Sequence, residues 1–285
     1  MTNRIHREII GGHLLVIGGA EDKYNERRIL RKFLQLAGGV KKGTILIVPV
    51  ASDYPEFASD VYVQAFRQLG VANPRVLRAT SRHDVIEADA DALLEGVTGI
   101  FITGGDQMRL TSVLGGTDLA RKIEQLVQDS DIVLAGTSAG AAGMSASMIV
   151  RGEATSHPHK NSVRLSPGLG FLRNIIIDQH FTERGRISRL ITAVSYNPYN
   201  LGIGIDENTA IILNKKGILE VFGEGTVTIV DGSQISYNEI AEVDEFQPFS
   251  ICGVQIHILR DGLLYDFFAR QPLQPPNEFL LPDIE

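Results

Sequence analysis

Short apolar runs closed by glycine, serine or proline alternate with longer segments of helical period along the first half of the chain. HLLVIGG (13–19), TILIVPV (44–50), PRVLRAT (74–80), GIFITGG (99–105) and IVLAG (132–136) have the length of strands. Most of them are apolar throughout rather than at alternate positions, which predicts burial on both faces of a sheet. Between them, NERRILRKFLQLAGG (25–39) and FASDVYVQAFRQLG (57–70) carry helical spacing and end in glycines suited to helix C-caps. HDVIEADADALLEG (83–96) and TDLARKIEQLVQD (117–129) complete the alternation. This order predicts an α/β fold: a doubly wound, mainly parallel sheet flanked by helices, flavodoxin-like in outline.

The second half is richer in β character. RNIIIDQHF (173–181) has the pattern of a buried strand and RISRLITAVSYN (186–197) that of a helix. TAIILNKKGILEVFG (209–223) and SICGVQIHILRDGLLYDFF (250–268) are β runs broken by Lys-Lys-Gly and Arg-Asp-Gly turns, and they predict antiparallel strands added to the same sheet. The proline-rich QPLQPPNEFLLPDIE (271–285) predicts an extended C-terminal tail. A length of 285 residues with 44% hydrophobic content suits a single α/β domain over 1–285.

Composition narrows the function classes. With 34 acidic residues against 27 Lys and Arg, the formal net charge of -7 disfavours a grip on nucleic-acid phosphates. The single cysteine, Cys252, excludes an intrachain disulfide and a CxxC site, which fits a reducing cytoplasm. The apolar run at 13–17 is short for a signal peptide, and no segment approaches the roughly 18 apolar residues of a membrane helix. No metal is expected, because His157 and His159 have no third ligand near them in the sequence. No nucleotide cofactor is expected either: GGAEDK (18–23) departs from G-x-G-x-x-G and carries Glu21 and Asp22, and GGVKKGT (38–44) lacks the ending of a P-loop.

In a doubly wound sheet, ligands collect beyond the carboxyl ends of the strands. GGAEDK, TGGDQ (103–107), GTSAG (136–140) and DQHF (178–181) all fall there. Gly136-Thr137-Ser138-Ala139-Gly140 fits the G-x-S-x-G elbow, a sharp strand-to-helix turn that exposes the serine hydroxyl beside free amides; a small-residue turn made for close packing is the plain alternative. Of seven histidines, His180 is the candidate base, since it follows a buried strand directly. Asp206 and Glu207 in GIGIDENTA (202–210) both qualify as the carboxylate that orients it. Adjacent side chains point oppositely along a strand, so one of the two is expected at the site, and spacing does not choose between them. Gly104 and Gly105 could bring backbone amides to a substrate oxygen. Arg184, Arg186 and Arg189 follow His180 closely and have the chemistry to bind carboxylates, although a solvated helix start would look the same.

In this order, GGAEDK, TGGDQ, GTSAGA, DQHF with its three arginines, and GIGIDE resemble the cyanophycinases, serine peptidases related to the aspartyl dipeptidase peptidase E. The resemblance runs from about residue 10 to residue 270. It implies a fold like that of class I glutamine amidotransferases, with serine at the elbow. It also implies a substrate, cyanophycin: a poly-aspartate backbone with arginine on each β-carboxyl group, cut from its carboxyl end into β-Asp-Arg dipeptides. Residue by residue, it implies Ser138 as nucleophile, His180 as base and Glu207 as the orienting carboxylate. The Ala139, Gly104 and Gly105 amides would form the oxyanion hole. Gln107, Gln179, Arg184, Arg186 and Arg189 would contact substrate, and Asp22, Asp106, Asp178 or Glu183 would suit its guanidinium. A homodimer without cofactor or metal is implied as well. Two alternatives stand beside it: a dipeptidase for short Asp-X peptides, and a non-catalytic protein that binds an anion or peptide in the same crevice.

Overall fold

The computed structural model describes residues 10–40, 42–152 and 157–273. Its first half follows the predicted alternation. β1 (His13–Ile17), β2 (Ile45–Val48), β3 (Arg75–Val76), β4 (Gly99–Ile102) and β5 (Val133–Thr137) run parallel to their neighbours in the order β1-β5-β4-β2-β3. Strand burial on both faces can be read residue by residue. Leu14 and Val16 of β1 join one hydrophobic cluster, whereas Leu15 and Ile17 join another on the opposite face. The second of these clusters is closed by Ile29, Leu30, Phe33 and Leu34 of α1 (Arg28–Leu36) and by Tyr62, Ala65 and Phe66 of α2 (Pro55–Gln68).

The other face is covered by α5 (Gln107–Leu114) and α6 (Asp118–Asp129), after two shorter helices, α3 (Arg82–Glu87) and α4 (Ala90–Leu94). The single helix expected over 83–96 is therefore two. Ala88 is extended, and Asp89 caps α4 by accepting from the Ala92 amide, a local bond that competes with continued helix. The strand expected over 74–80 shrinks to Arg75–Val76.

The C-terminal half corrects the expectation of one extended sheet. β10 (Thr209–Asn214), β11 (Ile218–Gly223), β16 (Leu264–Asp266) and β17 (Gln271–Leu273) do add antiparallel strands beyond β1, giving nine in all. β8 (Ile175–Gln179), β9 (Leu201–Ile205), β12 (Thr226–Asp231) and β15 (Gln255–Arg260) instead make a separate four-stranded sheet in the order β15-β12-β9-β8. Strand character is a local property and pairing is not, so the pattern alone could not assign these strands. The Lys-Lys-Gly turn closes the β10–β11 hairpin, but Arg260-Asp261-Gly262 carries the chain from one sheet to the other. Asp261 ties that crossing down by accepting from the Gly223 amide at 2.9 Å.

One face of the second sheet packs onto the α5–α6 side through Ile177, Ile203, Ile205, Val227 and Ile229. Its other face meets α8 (Ile187–Tyr196) through Ile176, Leu190, Ala193, Val194 and Val230. The helix after the elbow, α7 (Ala139–Gly143), is short, and the chain turns into a hairpin of β6 (Ser147–Gly152) and β7 (Val163–Pro167) that the sequence did not announce. The small pair β13 (Tyr237–Asn238) and β14 (Ile251–Cys252) completes the strands among the described residues. Of the expected tail, Gln271–Leu273 forms β17, and 274–285 lies outside the described residues.

Phe101 of β4 is fully buried, with its ring 5.4 Å from Phe33, 5.7 Å from Phe66 and 4.7 Å from Tyr62. Phe101→Ala should cost about 3–5 kcal/mol, read as a lower urea midpoint with an unchanged slope.

Candidate active site

The elbow is built by small residues because nothing larger fits. A Cβ on Gly136 would lie 2.6 Å from the Gly140 carbonyl oxygen, and one on Gly140 would lie 2.5 Å from that of Ile102. The turn leaves Ser138 at φ 52, ψ -114, a conformation that costs a non-glycine residue energy and concentrates at functional sites. Beneath it lies Glu21, 2% exposed, from the GGAEDK stretch. Its carboxylate accepts from the Thr137 hydroxyl at 2.6 Å and from the buried Tyr62 hydroxyl, and Lys23 Nζ sits 3.2 Å away. Burial, then the Glu21 charge, push the Tyr62 hydroxyl well above its ordinary pKa, so it stays a donor.

Three segments converge on the end of β1. Ile17 O accepts from the Ser138 amide at 3.0 Å, Gly18 O from the His180 amide at 2.8 Å, and Gly19 O from the Asn208 amide at 2.9 Å. Three successive carbonyls thus set the elbow, the residue after β8 and the β9–β10 turn against one another. The His180 ring lies over Gly19, where a Cβ would come within 2.4 Å of it.

The result is a linear hydrogen-bonded chain. Ser138 Oγ lies 2.9 Å from His180 Nε2, and His180 Nδ1 lies 2.6 Å from Glu207 Oε1. Glu207 is itself held, its amide donating to Glu183 Oε1 at 3.1 Å. Asp206, the competing carboxylate, faces the other way and accepts from the Thr182 amide, the Thr226 amide and the Thr226 hydroxyl at 2.8–3.0 Å. Burial works to raise its pKa, but these bonds outweigh it and hold the carboxyl below the usual range.

The other singled-out residues divide into open and occupied. Arg184 and Glu183 are exposed beside His180. Gly104 borders Ser138, since a Cβ there would stand 3.4 Å from Ser138 Cβ. The Ala139 amide opens α7, where no intrahelical acceptor exists. Asp22 accepts the Tyr24, Asn25 and Arg27 amides, which hold its carboxyl well below the ordinary value, and Asp106 caps α5. Gln107 donates to Ile149 O at 2.8 Å and so anchors β6.

Asp178, Gln179, Arg186 and Arg189, expected at the substrate, satisfy one another instead. Arg189 grips both oxygens of Asp178, with Nε–Oδ2 at 2.7 Å, and Arg186 Nη1 lies 3.4 Å from Oδ1 and also donates to Gln179. The Asp178 side chain is 0% exposed, so it cannot meet a substrate guanidinium while these pairs hold. Burial pushes Arg186 down to about 10, against the pull of Asp178. The signal was in the sequence: a carboxylate inside the apolar run IIIDQ needs a buried cation, and two arginines three apart share one helix face. Glu21 went unrecognised because its partners come from distant elements, α2 and β5. Among the described residues no group of three or more His, Cys, Asp or Glu could hold a metal ion, and no helix is long and apolar enough to cross a membrane.

A doubly wound α/β fold with a serine on a strained elbow beside a histidine defines a serine-type hydrolase. The sequence profile described as peptidase family S51 matches residues 14–221, and the chain belongs to this family of serine-type peptidases. It is similar to the cyanophycinase of Geminocystis herdmanii, 40% identical over 267 residues that cover 94% of this chain and 98% of that protein. The cyanophycinase of Synechococcus elongatus is 41% identical over 260 residues, 91% of this chain and 80% of that one. The crystal structure of a peptidase from an acI-B1 Actinobacterium shares the fold, with a TM-score of 0.68 at 23% identity over 91% of this chain and 98% of that one.

Replacing Asp178 by alanine should strand two buried guanidinium groups and cost about 3–5 kcal/mol. Chemical denaturation of Asp178→Ala checks this; unchanged stability would mean that the carboxylate is not structural.

Proposed function

We propose that the protein is a serine exopeptidase that degrades cyanophycin from its carboxyl end and releases β-Asp-Arg. The observation that carries the reading is the Ser138–His180–Glu207 chain at 2.9 and 2.6 Å. Similarity at 40–41% identity to proteins named cyanophycinase supports the substrate. In this account Ser138 Oγ attacks the scissile carbonyl while His180 Nε2 takes its proton, and Glu207 stabilises the imidazolium through Nδ1. His180 then gives the proton to the leaving amine, the C–N bond breaks, and an acyl-enzyme remains. Water, deprotonated by the same imidazole, cleaves the ester and regenerates Ser138. The Ala139 amide with those of Gly104 and Gly105 receives the oxyanion, each such donor being worth about 10² to 10³ in rate.

Arg184, exposed four positions beyond the base, is the arginine of the three free to take a substrate carboxylate, and exposed Glu183 is its counterpart for a guanidinium. The resemblance to the family also supports a homodimer working in the cytoplasm, with the whole chain as one catalytic unit. Incubation with purified cyanophycin, followed by mass spectrometry, should show β-Asp-Arg. In Ser138→Ala the rate should fall by as much as about 10⁶ while the circular dichroism spectrum is kept. Intact polymer alongside cleaved short Asp-X peptides would replace the substrate assignment with that of a dipeptidase.

A further inference from the structure

The β6–β7 hairpin sets Arg151 directly opposite Arg164, just after a register shift between Ile149 and Arg151. Like charges facing each other across an antiparallel pair work against the pairing. Both side chains are exposed, and among the described residues neither guanidinium has a carboxylate partner. Together with Gly152, His159, Ser162 and Phe246 they line a cavity of about 380 Å³. The Nδ1 of His159 is buried without a hydrogen-bond partner among the described residues, and its ring lies 6.5 Å from that of Phe246. No member of the Ser138–His180–Glu207 chain lines this cavity, yet it is tied to the site. Gly152 O accepts from Arg189 Nη1 at 2.8 Å, and Arg189 holds Asp178 on β8, the strand that His180 follows.

We propose that this cavity is a second carboxylate site, which holds the side-chain arginine of a cyanophycin unit other than the one being cleaved. The inference rests on the proposed substrate. In that polymer each arginine is joined through its α-amino group, so every unit presents a free carboxylate and a guanidinium. Two guanidinium groups without a carboxylate partner among the described residues match the carboxylate, and the exposed face of Phe246 suits the ligand's cationic end. A polymer that occupies two sites at once gains apparent affinity without any change at the reacting bond.

The double variant Arg151→Gln/Arg164→Gln removes the like-charge pair and should fold at least as well. Its KM for cyanophycin should rise by about ten-fold or more, with a much smaller change in kcat. An unchanged KM overturns the proposal. If the unsubstituted enzyme leaves cyanophycin intact, it is the substrate assignment that fails, and the cavity is then judged by NMR titration with Nα-acetyl-L-arginine. Binding that is lost in the double variant supports a carboxylate site; binding that is equal in both proteins, or absent from both, overturns it.

Discussion

The site depends on one crossing, where three segments from two sheets bind to the consecutive carbonyls of Ile17, Gly18 and Gly19. β1 belongs to the nine-stranded sheet, whereas β8 and β9 belong to the four-stranded one. Their ends could drift relative to each other if sheet packing alone related them. Backbone bonds to a single short stretch remove that freedom, and the absence of a side chain at Gly19 lets the imidazole settle over it. Geometry of this kind is set before substrate arrives, which is where enzymes gain most from rigidity.

Two buried carboxylates support the crossing from either side. Glu21 holds the Thr137 hydroxyl beneath the elbow, with the Tyr62 hydroxyl and Lys23 as its other partners. Asp178 holds Arg186 and Arg189 and so fastens the start of α8 to β8, the strand just before His180. A buried charge is costly unless it is paired, so each carboxylate makes its neighbourhood intolerant of rearrangement. Arg184 and Glu183, which follow His180, stay exposed to solvent.

Much of this was legible in the chain. β1, β2 and β4 declared themselves because a strand buried on both faces is apolar at nearly every position, as Leu14, Leu15, Val16 and Ile17 are. The elbow and His180 were legible because both sit at strand ends, where chemistry collects in this architecture. The choice between Asp206 and Glu207 was not, since it depends on Thr182 and Thr226, which come together only when the second sheet forms. For the same reason the pairing of Arg186 and Arg189 with Asp178 could not be settled in advance: charge and spacing are visible in a sequence, but whether a guanidinium meets water or Asp178 is decided by tertiary packing. The β6–β7 hairpin was hidden behind an alanine- and serine-rich stretch that could equally have continued the helix.

The chain thus joins a peptidase family assignment to a geometry in which backbone, rather than side-chain reach, aligns Ser138 with His180, the pair proposed as nucleophile and base. The most direct test is the rate at which a serine-directed fluorophosphonate labels Ser138 in Gly19→Ala, followed by intact-protein mass spectrometry and peptide mapping. A methyl group under the imidazole should slow labelling by about 10² while the circular dichroism spectrum stays that of the unsubstituted protein. Labelling at the unsubstituted rate, or at a residue other than Ser138, would contradict the account.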